Sequence, residues 1–481
     1  VNTVEECLDL KPLYDRYKEG GCPAYHPKMM LKVMIYSFSQ KTYSSRQIAK
    51  SLRENINFMW IAGGNKPDFR TINRFRLDMK DVIEDVFYEV VKLLIEKKYI
   101  KLQNYFLDGT KIEANANKYT FVWNKAVGNY DRKLDEKIKN HLREIDRIVA
   151  EENEIYLEDD LEETGVNSRI TTGQVEGVVK SIDKKLAKNP MDKKLKKKAK
   201  EFKKDILPRK QKYEEAFAIF EGRNSYSKTD HDATFMRMKE DAMLNGQLKP
   251  GYNVQIGTEN RYIVGFTIHP NPTDTKTMIP HLKHLEKRLG RLPENIVADA
   301  GYGSEENYEY LEEKNLGSYV KYNKFHWEKK KKNRENPYLT DNLPYIAETD
   351  RFVCRNGKQL LHIGNRKYVT EAGYETRRDY YQCEDCTGCP YATECKNTDK
   401  NRTIMVSHRL NELKRKANAN LCSKRGHKLR SQRVVEVEQV FGRIKGCWSF
   451  RRFHLRGADK VKIEWGLLAI AHNIAKMALE G

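Results

Sequence analysis

The chain has 481 residues, 39% of them hydrophobic and 33% charged, which excludes a disordered chain and suggests two to four structural units. Eighty-nine Lys and Arg against 68 Asp and Glu leave a net charge of +21, so a polyanionic partner is expected, with nucleic acid the first candidate. No run of eighteen apolar residues and no charged start with an apolar h-region is present, and nine cysteines, four of them crowded between Cys383 and Cys395, do not form a secreted disulfide pattern; a cytoplasmic protein is expected.

Residues 1 to about 98 read as helical. "MMLKVMIYSF" carries an apolar period, and in "SSRQIAKSLRENINF" Ser44 or Ser45 is placed to cap a helix. After "GGNKPD", Asp68 caps a second short helix, with Arg70, Asn73 and Arg74 on one face. Two short helices with a basic second one fit a helix-turn-helix reader of DNA or a packed helical pair.

"NYFLDGTKIEA" follows as a strand whose apolar run, Tyr105 to Leu107, meets Asp108 and then a glycine. From about Lys118 to Gly222 the chain alternates acidic "EENEIYLEDDLEE" with basic "MDKKLKKKAKEFKKDILPRKQK". Few bulky apolar residues interrupt these charges, so a long solvated helical hairpin is expected, as a spacer or as an arm along DNA. Asp230 and Asp232 in "SKTDHDATF" are rival acids for a metal role, with a turn or cap as the expected one.

"GYNVQIGTENRYIVGFTIHPN" alternates Tyr252, Val254 and Ile256, turns at "TENR" and resumes with Val264, Phe266 and Ile268, a β-hairpin pattern. A helix with Met278, Leu282, Leu285 and Leu289 on one stripe follows, with Asp274 placed as its cap. In "ENIVADAGYGSEENYEYLEEKN" a short strand leads to Asp299, then two glycines, then a helix capped by Ser304.

Asp108 and Asp299 share a construction: each closes an apolar strand and is followed by small residues. Strand ends of an open α/β sheet are where ligands sit. Two carboxylates at about 4 Å repel by roughly 4 kcal/mol at an effective dielectric near 20, so protonation or a cation must relieve them, and Mg²⁺ suits oxygen donors and phosphate. A third acid is expected from "SQRVVEVEQVFGRIKGCW", an amphipathic helix with Val434, Val437, Val440, Phe441, Ile444 and Trp448 as its buried stripe. Glu436 and Glu438 flank that stripe, and Lys445 lies two turns beyond Glu438 on the same edge; periodicity does not choose between the two glutamates.

"FLDGTKIEANANKY", "ADAGYGSEENYEYL" and "QRVVEVEQVFGRIKG" with "FRRFHLRGADKVKIEWGLLAIAHNIAKM", together with the N-terminal "PAYHPKMMLKVMIYSF" and "SLRENINFMWIAGGNKPDFRTINRFR", resemble the DDE transposases of bacterial insertion sequences. The resemblance runs through most of the chain except the charged arm. It implies a ribonuclease H-like α/β core with catalytic Asp108, Asp299 and Glu438 holding two Mg²⁺ or Mn²⁺ ions, and Arg433 and Lys445 as basic companions. The tyrosine often found shortly before that arginine is absent, since Ser431 and Gln432 precede Arg433. DNA contacts are expected from Arg70, Arg74, Arg433, Lys445, Arg451 and Arg452. Cleavage at terminal inverted repeats and transfer into target DNA by a homodimer is the implied activity; a nuclease that does not join and an inactive DNA-binding repressor are the alternatives.

The expected organisation is a helical N-terminal domain over 1–98, core segments over 99–117 and 223–325, a charged helical arm over 118–222, a cysteine-rich insertion over 326–405 and a helical C-terminal part over 406–481. In "YYQCEDCTGCPYATEC", Cys383, Cys386, Cys389 and Cys395 fit a structural Zn²⁺ site, part of an iron–sulfur pattern or metal-free thiols, and Cys354 can replace one of them.

Overall fold

A computed structural model describes residues 4, 8–15, 25–152, 169–188, 190–238, 246–370 and 373–480. The chain divides into two compact units: Val1–Ile112 with Asn253–Leu455 and Asp459–Gly481, and Glu113–Tyr252 with Arg456–Ala458.

The first unit begins with helices α1 (Pro27–Ser39), α2 (Ser45–Glu54), α3 (Ile56–Ile61), α4 (Phe69–Asp78) and α5 (Ile83–Glu96). Proline at the first turn of α1 has its φ pre-set for a helix, and Met30, Leu31, Val33, Met34 and Phe38 bury most of its circumference. Asp68 caps α4 as expected, accepting from the Thr71 amide at 2.7 Å. Ser44 stands at the cap position of α2, but its side chain makes no capping bond there, so that expectation is not met. Instead the helical region is tied down by longer-range polar contacts. Tyr43 donates to the Trp448 carbonyl at 2.7 Å, and Arg76 donates to the Tyr43 carbonyl at 3.1 Å.

The sheet of this unit is built from β1 (Asn104–Glu113), β2 (Leu248–Glu259), β3 (Tyr262–His269), β4 (Asn295–Ala298) and β5 (Gly317–Val320). Its order is β3-β2-β1-β4-β5, with β3 antiparallel to β2, and β4 parallel to both β1 and β5. The hairpin expected at "TENR" turns through Asn260 and Arg261, both at positive φ, the backbone a two-residue hairpin needs. Buried Glu259 accepts from the amides of Leu102 at 2.6 Å and Gln103 at 3.1 Å, which fixes where β1 starts. Helices α6 (Met278–Leu289), α7 (Glu305–Glu313), α8 (His408–Cys422), α9 (Lys424–Phe441) and α10 (Ala458–Glu480) complete the arrangement. An antiparallel hairpin continued by parallel strands, with helices around it, is the ribonuclease H-like mixed α/β core that the motifs implied.

Between β5 and α8 lies a five-stranded antiparallel sheet, in the order Thr403–Val406, Glu375–Cys383, Gln359–Val369, Arg351–Val353, Tyr345–Ile346. Arg378 joins it to α7 through buried Glu305 at 2.9 Å.

The second unit holds most of the charged arm, and it is not a bare hairpin. Helices Asn124–Glu152, Thr172–Lys188, Lys193–Glu201 and Leu207–Phe220 close on a core of Leu134, Ile138, Val175, Ile182, Leu195, Phe202 and Ile206. These apolar residues recur every three or four positions, a helical stripe masked in the sequence by the density of lysines. Residues 153–163 of the acidic stretch lie outside the described residues. Asp230 is buried and accepts from the Tyr252 hydroxyl at 2.9 Å and the Gly457 amide at 3.3 Å, while Asp232 accepts from the Ala458 amide at 2.7 Å. Both are structural anchors of this unit. Among the described residues, no helix is long and apolar enough to cross a membrane.

Candidate active site

β1 and β4 run parallel with Tyr105 opposite Ile296 and Phe106 opposite Val297, and continuing that register two places sets Asp108 level with Asp299. Asp299 follows the last residue of β4, as expected. Asp108 does not end its strand: β1 continues to Glu113, and the buried carboxylate stands in mid-strand. Arg433 of α9 answers for the cost of that burial. Its Nη2 lies 3.1 Å from Asp108 Oδ2 and 3.4 Å from Asp299 Oδ2, so one guanidinium holds the two carboxylates together. The arginine is itself only 8% exposed, and its Nε has no hydrogen-bond partner among the described residues.

A third carboxylate stands beside this pair, and the sequence reading missed its role. Asp274 does not cap α6, whose cap position is Thr277. Its Oδ1 accepts from Asn253 Nδ2 and Gln255 Nε2, each at 2.8 Å. Those two amides sit on β2 and are fully buried, and buried amides on alternate positions of an apolar strand are the signal that pointed to an inward polar partner. A Cβ at Gly109 would stand 2.5 Å from Asp274 Oδ1 and 2.2 Å from Gln255 Nε2, so the glycine after Asp108 is required by close approach. At Gly301 the same position lies 3.1 Å from Asp299 Oδ1 and 3.5 Å from Asp274 Oδ2.

The electrostatics agree with this grouping. The buried Tyr302 phenol, which donates to Gln255 Oε1, is raised well above its ordinary pKa by burial and then by the charges of Asp274, Asp108 and Asp299. His269 is pushed down to about 4 by burial, against the opposing pull of Asp274. It joins a buried chain through Thr267 to His281 at 2.8 Å, and His281 meets the Tyr105 hydroxyl at 2.6 Å.

The helix that delivers Arg433 also carries Glu438, on a different face. Five residues of α-helix rotate the side chain by about 140°, and Glu438 is exposed. Glu436 instead accepts from the Arg261 amide, and burial raises its pKa. Val434, expected in the buried stripe, is 48% exposed; Val437, Val440, Phe441, Ile444 and Trp448 are buried as expected. Lys445 falls in a π-helical turn, Gly442–Cys447, whose larger number of residues per turn breaks the two-turn spacing from Glu438.

Arg70, Asn73 and Arg74 share a face, as expected, and line a cavity of about 640 Å³ with Ser44, Arg46 and Phe69. The guanidinium groups of Arg46 and Arg70 stand 5.1 Å and 5.8 Å from the Phe69 ring centre. Arg451 and Arg452 are exposed just beyond the π-helical turn.

The cysteines divide. Cys383 ends its strand buried, with Cys354 and Cys386 packed against it. Burial, then the neighbouring Cys386 and Cys354, push the Cys383 thiol up to about 12. Cys395 accepts from Arg402 Nη1 at 3.0 Å, and Cys386 accepts from the Arg402 amide at 3.4 Å. Among the described residues, no group of three or more His, Cys, Asp or Glu is arranged to enclose a metal ion, at the cysteines or at the carboxylates.

A ribonuclease H-like sheet with two aspartates level on its neighbouring parallel strands defines the class. A family model described as Transposase DDE domain matches residues 353–478, which include Arg433, Glu438 and Lys445, and one described as Transposase domain (DUF772) matches residues 1–78. No curated protein matches the chain. Over these two segments the chain is similar to transposases, and the two matches together indicate a DDE transposase of an insertion sequence.

Proposed function

We propose that this transposase cuts DNA at the terminal inverted repeats of its element and joins the freed 3′-hydroxyl to target DNA, with Asp108 and Asp299 holding Mg²⁺ or Mn²⁺ and Glu438 as the further acid that the resemblance implies. The observation that carries this reading is the pair of level aspartates converging on one cationic group, at 3.1 and 3.4 Å from the same nitrogen. Hard carboxylate oxygens already gathered round a positive charge suit a divalent ion of this type. When bound, two such ions lower the charge on the attacking and leaving oxygens of an in-line phosphoryl displacement.

The protein's own groups do the positioning. Arg433 holds the two aspartates together, and its Nε, without a partner among the described residues, is a buried donor ready for a phosphate oxygen. Arg70, Arg74, Lys445, Arg451 and Arg452 neutralise backbone phosphates, which positions the duplex without reading its sequence. Two copies hold the two ends of the element, and the reaction takes place in the cytoplasm. Cys383, Cys386, Cys389 and Cys395, with Cys354, form a structural staple that takes Zn²⁺ only after the thiols rearrange.

The test is incubation of the full-length protein with labelled duplexes carrying the element's ends, a target plasmid and Mg²⁺. Labelled DNA joined to the plasmid supports the proposal. Cut but unjoined DNA makes the protein a nuclease, and bound, intact DNA makes it a repressor.

A further inference from the structure

We infer that Lys321 and Arg430 bind a phosphate of the DNA strand beside Asp299, an assignment that rests on the DNA-cutting reading above. β4 and β5 run parallel with Ala298 opposite Val320, and the Lys321 amide still donates to the Ala298 carbonyl at 3.3 Å, so the ladder carries Lys321 level with Asp299. Asp108, Asp299 and Lys321 thus form a row across three neighbouring strands. A side chain at position 303 would begin 2.3 Å from the Lys321 carbonyl, so Gly303 lets the loop after Asp299 lie against this backbone. Arg430 stands three residues before Arg433 on α9, close to one turn and so on the same side of the helix. Burial and then the charges of Arg433 and Arg430 pull the Lys321 pKa down, against Asp299, and His326 is lowered by burial and then by Lys321, Arg430 and Lys329.

What marks these groups is the donors they leave unused. Among the described residues, the Nε atoms of Arg430 and Arg433 are both buried without a hydrogen-bond partner, and the Lys321 ammonium has neither a hydrogen-bond nor an ion-pair partner. Two plainer roles account for less. A counter-ion for Asp299 is already present in Arg433 at 3.4 Å, and Lys321 pairs with no carboxylate. A solvated surface lysine would carry its ammonium out into water, away from like charges, whereas this one is half-buried and feels two arginines. Cationic donors drawn together against their mutual repulsion suit an oxyanion with several acceptor oxygens, which a phosphodiester is. Arg430 lies over the Phe325 ring at 5.2 Å, and its Nη2 meets His427 Nδ1 at 2.8 Å, so its guanidinium is fixed before DNA arrives.

The experiment measures binding of the full-length protein, without divalent metal, to duplexes carrying the element's ends. It is run across a salt series, and again with single phosphates near the expected cleavage position made neutral as methylphosphonates. Lys321→Gln and Arg430→Gln are each expected to reduce the slope of log affinity against log salt by about one, and to lose the wild type's sensitivity to one and the same neutral phosphate. Lys321→Arg, which keeps the charge, is expected to restore the slope. The Tm of Lys321→Gln should equal or exceed that of the wild type, because a half-buried lysine beside two arginines does not favour the fold while it is charged. Wild-type slope and phosphate sensitivity in Lys321→Gln would overturn the assignment and leave the DNA reading intact. If the wild type itself does not bind the ends, the DNA reading fails and the assignment with it. A lower Tm in Lys321→Gln with an unchanged salt slope would mark a structural cation and overturn the assignment as well.

Discussion

In the helical unit Lys210 is fully buried and donates to Asp131 at 2.7 Å and Asp135 at 2.6 Å, with Arg169 closing on Asp131 at 2.7 Å. In the sheet unit Arg433 also serves two aspartates, but at 3.1 and 3.4 Å, with the Asp299 side chain 38% exposed and a guanidinium nitrogen unpaired. Both are aspartate pairs around one cation. The first is sealed and saturated, and its role ends with stability. The second is looser, partly open to solvent and unsatisfied, and a third carboxylate stands beside it. Saturation, more than charge or burial, separates an anchor from a site that awaits a ligand.

The largest effect that sharpens this contrast is expected from Lys210→Met, which strands two buried aspartates and should cost about 3–5 kcal/mol in chemical denaturation, unchanged by added Mn²⁺. A loss below about 1 kcal/mol would mean the anchor is no tighter than a surface pair. Next is Asp299→Asn, expected to lower Mg²⁺-dependent cleavage at least about 100-fold while the unfolding midpoint stays within a few degrees. Retained cleavage would remove that aspartate from the chemistry. Arg433→Ala should cost about 1–3 kcal/mol in metal-free buffer, and Mn²⁺ should restore much of it by binding the native state. Insensitivity to Mn²⁺ would make this pair another anchor.

A smaller, pH-dependent effect is expected at Glu84. Burial alone would raise its pKa, but His284, Lys462 and Arg288 hold it down at about 2. A depressed carboxylate adds stability that is present above its unfolded pKa and is lost as pH falls through the folded value. The wild type should therefore lose stability between about pH 4.5 and 2, and Glu84→Gln should flatten that slope. Urea midpoints across this range check it. The smallest effect is at the basic cavity, where Arg70→Ala should reduce the salt slope of DNA binding by about one and leave stability unchanged.

Much of this was legible in the residues. The hairpin at Asn260 and Arg261, the α4 cap at Asp68 and the strand before Asp299 all follow from local patterns with short-range physical causes. The level placement of Asp108 and Asp299 was legible only as a shared motif, because β1 and β4 are joined by nearly two hundred residues of intervening chain. The core of the helical unit was hidden because lysines between Leu195, Ala199 and Phe202 outweigh them in composition while leaving their spacing intact. Asp274 was misread for a different reason: a carboxylate before a helix has two fates, and the choice depended on Asn253 and Gln255 facing inward from a strand elsewhere. The turn of α9 that buries Arg433 and exposes Glu438 depends on which face meets the sheet, a tertiary fact that the two flanking glutamates leave undecided.

The most direct test loads the full-length protein with Fe²⁺ in place of Mg²⁺ and adds ascorbate and peroxide, so that the backbone is cut wherever the ion sits. Cuts next to residues 108 and 299, suppressed by excess Mg²⁺, are the result expected here. Cuts confined to the cysteines near 383–395, or to the sealed cluster around Lys210, would contradict it.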